Sequence, residues 1–353
     1  MRDIDKFRGC LIGGAAGDAL GYAVEFLREE QIFSKYGENG ITEYSLKNGK
    51  AEISDDTQMT LFTANGLLLG TTRGMTRGIM GTYESYIQIM YKCWYRTQTE
   101  SYPINEDYLY SWLLNIPELF SRRAPGMTCL SAIEHGAEGS THEPINNSKG
   151  CGGVMRVAPV PLYAIVDNRM SVTDAALLAG DAAEITHQHP LGFIPAALVS
   201  HIIYRLALDE EPTKPAMESY IREGMKAMEL LYPQYPADVR CMGELCEEAI
   251  TLANSSSPDL ENIEAIGEGW TGEEALAIAL YCCLRHFDSF EDAIIASVNH
   301  GGDSDSTGAV TGNVLGAALG YNAIPQFYKD DLEMHNLILH MADDLYRGEV
   351  TKM

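Results

Sequence analysis

Glycine recurs every fourth residue at Gly9, Gly13, Gly17 and Gly21, and again at Gly308, Gly312, Gly316 and Gly320. Within a helix each glycine costs about 1 kcal/mol relative to alanine. Two such ladders, one near each end of the chain, therefore imply a return for that cost. A four-residue step puts the glycines on one helix face, where a bare groove admits a neighbouring ridge or backbone. The same spacing occurs in membrane dimers, but Asp18 and Asn313 are unsuited to lipid. The apolar stretch from Leu11 to Phe26 is interrupted by Asp18 and is too short and polar to span a bilayer. Both helices are expected in the crowded centre of a bundle. Packing alone accounts for the glycines, and packing would also position the loops beside them.

The rest of the chain agrees with a helical reading. Apolar residues fall at three- and four-residue steps in Ala175–Ala183, Phe193–Leu208, Met217–Leu231, Glu273–Arg285 and Phe290–Val298. No series of alternating β-branched strands is present, and Gly40–Tyr44 is at most a short extended piece. Turn-rich stretches occupy Gly37–Lys50, Thr97–Glu106, Glu138–Gly153 and Ser255–Gly272, none with the composition of a flexible linker. The expected fold is all-α: one compact domain of many helices over residues 1–353, with functional loops on one face.

Charge and cysteine content narrow the setting. The hydrophobic fraction of 46% and charged fraction of 21% are those of a globular protein. A net charge of −25 repels phosphate backbones and argues against nucleic-acid binding. An anionic small ligand stays compatible with it wherever cations are bound. The eight cysteines form no CxxC pair. Without an export signal or membrane span, buried reduced thiols in the cytoplasm are the simplest expectation.

Two loops concentrate acids and hydroxyls. Ser54-Asp55-Asp56-Thr57 precedes an apolar run with Met59, Phe62 and Leu67. Ser54 or Asp55 suits a helix cap, and acids there suit the positive end of the helix dipole. Gly301-Gly302-Asp303-Ser304-Asp305-Ser306-Thr307-Gly308 is again a loop feeding a helix. Its acid and hydroxyl spacing suits a hard, oxygen-seeking cation, but it lacks the ligand spacing of an EF-hand. Glu25 is a lone acid after the first glycine ladder. Ser148–Arg156 is glycine-rich and offers backbone N–H groups to an anion, although it lacks a Walker ending. His187 and His189, before Pro190, read either as a metal pair or as structural polar contacts.

Five segments together resemble the ADP-ribosylglycohydrolase family, which includes the dinitrogen-reductase-activating glycohydrolase. They are Gly13–Glu25, Ser54–Thr57, Lys149–Pro159, Thr186–Pro190 and Gly301–Asn313. The resemblance implies an all-helical fold with a binuclear magnesium or manganese centre in a cleft. The implied ligands of the two divalent cations are Ser54, Asp55, Asp56, Asp303, Asp305 and Ser306. Glu25 matches the family's acid beside the metals, and Glu25, Asp55, Asp56 and Asp303 are the implied catalytic set. Gly150, Gly152 and Met155 match the loop lining the ADP-ribose cleft, and His187 matches a ligand-contacting histidine. Arginine-directed members carry an aspartate where this chain reads Arg122-Arg123-Ala124-Pro125-Gly126-Met127-Thr128. An acid from another loop, such as Glu52 or Asp107, would then have to meet a guanidinium.

The implied activity is metal-assisted removal of ADP-ribose from a modified protein or small ADP-ribosylated ligand. Glu25 would take a proton from water or close over the site. Two other classes remain open at this level: a catalytically silent ADP-ribose binder, and an immunity-type partner that docks on an ADP-ribosylating toxin.

Overall fold

The computed structural model describes residues 2–78, 81–106, 109–138, 143–167 and 169–351. Among the described residues the chain forms sixteen α-helices and four short 3-10 turns, with isolated β-bridges and no strand. The helices that build and flank the site are α1 (Ile4–Tyr22), α2 (Asp55–Arg77), α3 (Tyr83–Thr99), α4 (Val172–Glu184), α5 (Pro190–Leu208), α6 (Gly272–Arg285), α7 (Phe290–Val298) and α8 (Ser304–Leu319). Every periodic segment read from the sequence lies within a helix. The turn-rich stretch Ser255–Gly272 differs, since it contains the helix Asp259–Ile266. Its Asp259 start and its buried Asn262, Ile263 and Ile266 make one short amphipathic turn set that the surrounding Ser, Pro and Gly residues mask.

The two glycine ladders face each other. Helices α1 and α8 form the most extensive helix pair in the molecule, and they run antiparallel. A methyl group on Gly9 would lie 2.4 Å from the Gly316 carbonyl oxygen, one on Gly13 2.4 Å from that of Gly312, and one on Gly17 2.0 Å from that of Gly308. Reciprocally, a methyl on Gly312 would lie 1.9 Å from the Gly13 oxygen. Backbone thus meets backbone, which no side chain permits. Asn313 adds a polar lock by donating from Nδ2 to the Cys10 carbonyl at 2.8 Å. At the end of the ladder Gly21 meets Ser304 instead of a glycine, because α8 begins there.

Around this pair, α5, α6 and α7 pack on α8, while α4 packs on α5 and α3 on α2. Helix α5 is long and apolar enough to cross a membrane by composition, yet most of it is buried among its neighbours.

If the ladder contact carries the fold, Gly312→Ala should lower unfolding stability by about 3 kcal/mol or more, the upper range for overpacking. Gly243→Ala is the control, because its added methyl meets only the flexible Met225 Cε at 3.3 Å. It should be neutral, or stabilise by up to about 1 kcal/mol. Urea unfolding of both variants reads the difference, and equal stabilities would refute the contact.

Candidate active site

The antiparallel pairing brings the start of α8 beside the end of α1. Asp303 caps α8, its side chain accepting from Ser306 N at 3.4 Å, while its own N–H donates to the Glu268 carbonyl at 2.8 Å. Asp305, in the first turn of the helix, accepts from Ser306 N at 2.9 Å. On α1, the fully buried Asp18 accepts from Ser54 N at 2.9 Å, from Thr57 N at 3.1 Å and from the Thr57 hydroxyl. Asp18 therefore fastens the first turn of α2 to α1. Within that turn Ser54 is the cap, its hydroxyl accepting from Asp56 N at 3.2 Å. Asp55 is held from the other side: it donates from its N–H to the Arg123 carbonyl at 3.1 Å and accepts from Gly126 N at 3.1 Å.

These contacts gather Glu25, Asp55, Asp56, Asp303, Asp305 and Ser306 around one open cleft with a cavity volume of about 200 Å³. Gly150, Gly152, Met155 and His187 line the same cleft. Ser54 does not reach its surface and lies fully buried one layer beneath. The glycine-rich loop is seated by Cys151 N donating to the Trp270 carbonyl at 3.2 Å and Gly272 N to the Lys149 carbonyl at 2.8 Å. The Cys151 thiol donates to Asp303 Oδ2 at 2.7 Å. Of the loop N–H groups expected to meet an anion, those of Gly150, Cys151, Val154 and Met155 are already bonded within the protein. The two histidines separate. His187 lines the cleft, whereas His189 caps α5 with Nδ1 accepting from Leu191 N at 3.1 Å.

So many acids in one buried place cannot all ionise without compensation. Burial, then the neighbouring Asp305, pushes Asp18 up to about 7. Burial, then Asp305, Asp303 and Asp55, pushes Glu25 up to about 10. Asp55, Asp56 and Asp303 are also raised well above the usual carboxylate range, in each case by burial and then by Asp305. Asp56 Oδ2 and Glu25 Oε2 are buried with no hydrogen-bond partner. Among the described residues no three His, Cys, Asp or Glu side chains are already drawn into the close set that grips an ion. The donors are nonetheless hard oxygens, mutually repelling and in part unpartnered, and that chemistry fits a hard divalent cation.

The matches to known proteins bear on the same residues. A model of the family described as ADP-ribosylglycohydrolase matches residues 1–352. The chain belongs to this family. It is 26% identical over 347 residues to a protein of Archaeoglobus fulgidus, covering 97% of this chain and 96% of that one. It is 26% identical to the ADP-ribosyl-[dinitrogen reductase] glycohydrolase of Rhodospirillum rubrum, over 94% of this chain and 91% of that enzyme. It is 27% identical to the ADP-ribosylhydrolase ARH3 of Homo sapiens, over 57% of this chain and 58% of that protein. In fold it resembles a solved ADP-ribosylglycohydrolase-related protein complex with a TM-score of 0.60 at 23% identity, covering 98% of this chain and 99% of that one.

In this ADP-ribosylglycohydrolase-family chain several residues that build or line the cleft are not singled out by the sequence. Asp18 stood there only as a break in an apolar stretch, yet it organises the α2 turn. A charged residue inside a glycine-laddered helix was the available signal. Trp270 and Met127, which line the mouth and are 40% and 72% exposed, carried no motif. The segment from Arg122 to Thr128 does reach the cleft, through Ala124, Gly126, Met127 and Thr128. Arg123 is engaged by Glu52 at 3.1 Å and Glu333 at 3.3 Å, so Glu52 is spoken for. Asp107 lies outside the described residues.

The raised carboxylates set a sign for pH dependence. Asp18 rises from 3.8 to about 7 and Glu25 from 4.5 to about 10. The folded protein keeps protons that the unfolded chain has released, so stability falls as pH rises through this window. Asp167, pulled down to about 2 by its hydrogen bond to Arg169, titrates below it. Cation-free protein is expected to resist urea better near pH 5 than near pH 8, with added Mn²⁺ reducing the gap. A stability that climbs over this range would contradict a shared buried acid cluster.

Proposed function

We propose that this chain is a divalent-cation-dependent hydrolase that cleaves the glycosidic bond between ADP-ribose and a protein or small-molecule acceptor. The observation that carries the reading is the convergence of Glu25, Asp55, Asp56, Asp303 and Asp305, from three distant segments, on one cleft also lined by Gly150, Gly152, Met155 and His187. Asp55, Asp56, Asp303, Asp305 and Ser306 would hold the cations, magnesium or manganese, at the cleft surface, with Ser54 contributing from beneath. The chemistry supplied by such a pair is Lewis-acid activation of water and polarisation of sugar oxygens.

Glu25 takes the water's proton. Its raised pKa reflects burial and then its acid neighbours, and cations held among those acids would favour the ionised form. Water oxygen then bonds to the anomeric carbon, the bond to the acceptor breaks, and the acceptor leaves with the proton that Glu25 had taken up. The remaining carboxylates favour positive charge developing on the ribose ring. His187 is pushed down to about 3 by burial and then by Arg156, so it serves as a neutral polar contact.

The acceptor is expected to be loosely specified, because the mouth segment supplies no carboxylate to pair with a guanidinium. Release assays over arginine-, serine- and nucleotide-linked ADP-ribose, with and without Mg²⁺ or Mn²⁺, test the activity and its cation dependence. Values of kcat/KM for arginine- and serine-linked substrates should agree within about tenfold, or 1.4 kcal/mol. A strong arginine preference abolished by changing one acid would place the guanidinium partner in another loop. Glu25→Gln should lower turnover by about a hundredfold or more while calorimetric Mn²⁺ binding persists. Wild-type turnover in that variant would remove Glu25 from the mechanism. Asp303→Ala should lose activity with its helical circular dichroism intact.

A further inference from the structure

Arg156 is fully buried, and no carboxylate is among its partners in the described residues. Its Nη1 points at Cys129 Sγ at 3.2 Å and Met59 Sδ at 3.5 Å. Its Nη2 donates to the Ala182 carbonyl at 3.2 Å, and its plane lies over the Tyr91 ring at 4.4 Å. The shortest contact is Nη2 to the Thr186 hydroxyl, at 2.6 Å. Burying an unpaired cation is expensive, and this one is linked through the Thr186 hydroxyl to His187, which lines the cleft. Thr186 Oγ1 is also 2.8 Å from His187 Nδ1.

The donor and acceptor inventory orders this chain of contacts. A guanidinium has only donors, so Thr186 Oγ1 accepts from Arg156. The single hydroxyl proton of Thr186 is then offered elsewhere. The Ala183 carbonyl is 3.5 Å away, at the limit of a hydrogen bond, whereas His187 Nδ1 is 2.8 Å away. The adjacent positive charge also disfavours an N–H on the Nδ1 side. Nδ1 accordingly accepts, and the ring proton resides on Nε2. The Nε2 edge faces the glycine-rich loop: a methyl on Gly152 would lie 2.9 Å from His187 Cε1 and 3.2 Å from Nε2. Only glycine at this position leaves that edge open to the cleft.

We infer that Arg156 is a positioning residue which, through the Thr186 hydroxyl, fixes His187 as a neutral Nε2–H donor aimed at an acceptor oxygen of the ligand. The identity of that ligand as an ADP-ribosyl group rests on the function proposed above. In a cleft floored by acids, a neutral N–H of fixed tautomer donates to a ligand oxygen without adding a titrating charge.

Nitrogen-15 NMR of histidine-labelled protein tests the tautomer without reference to activity. The expected result for the wild type is a protonated-type shift at His187 Nε2 and an unprotonated-type shift at Nδ1. Thr186→Val keeps shape and removes the hydroxyl. It should mix the tautomers and weaken ADP-ribose binding by about tenfold, the loss expected for one hydrogen bond. The same variant should raise KM more than it lowers kcat, and Thr186→Ser should restore both spectrum and affinity. A proton on Nδ1 in the wild type overturns the inference, as does a Thr186→Val protein with unchanged tautomer and affinity. If Thr186→Val fails to fold, the wild-type spectrum still decides. Wild-type protein that shows the Nε2–H tautomer but binds no ADP-ribose would overturn the functional proposal and the assigned ligand, leaving the Arg156–Thr186–His187 relay standing.

Discussion

Backbone-to-backbone contact between α1 and α8 is the constraint on which the site depends. Carbonyl oxygens of one helix occupy the space that side chains of the other would need, at Gly9, Gly13 and Gly17 against Gly316, Gly312 and Gly308. Contact this close leaves little freedom to slide, since a shift by one residue would put Cys10 and Asp18 in place of two glycines on one side, or Ala309, Asn313 and Ala317 in place of all three on the other. The register so imposed carries Asp303 and Asp305 from one end of the chain to Asp18 and Glu25 near the other. Two segments about 300 residues apart and the geometry of the cleft are thus coupled through a single packing contact. The glycine cost in helix propensity is offset by burial along the whole shared face.

A second tension lies at the end of that contact. Asp18, Glu25, Asp55, Asp56, Asp303 and Asp305 are all buried, and Asp18, Asp55, Asp303 and above all Asp305 raise the proton affinity of others in the set. Part of the repulsion is answered by backbone donors, notably Ser54 N and Thr57 N on Asp18 and Gly126 N on Asp55. The oxygens left over, on Asp56 and Glu25, face the cleft region. A cluster optimised for stability alone would not keep them. Such local frustration, tolerated because the surrounding helices over-determine the geometry, is the usual mark of a working site. It also divides the acids by role. Asp18 is satisfied by protein and organises α2, whereas Asp56 and Glu25 retain capacity for something bound.

Helix type and approximate extent follow from local periodicity, which the chain displays over most of its length; the clearest example is Phe290–Val298, whose bounds agree with the helix observed. The glycine ladders announced a crowded pair, and the acid–hydroxyl loops announced themselves by composition and by their place ahead of helices. A cap at Ser54 or Asp55 was likewise legible, and Ser54 fills it, because a cap is a local hydrogen bond between residues two or three apart. Family resemblance, carried by five short segments, extended this to a list of residues expected to meet.

Which residues meet, and what holds them, was decided by tertiary structure. Nothing in the sequence near Asp18 says that it grips the turn at Ser54, 36 residues away, nor that the Cys151 thiol meets Asp303 across 152 residues. Trp270 and Met127 reach the cleft only because separate loops end at the same mouth, and Glu52 is withdrawn from it by Arg123. Periodicity and capping depend on neighbours along the chain, so the amino-acid order determines them directly. The cleft, its burial and its electrostatics depend on distances between segments hundreds of residues apart, and those distances exist only once α1 and α8 have closed on each other.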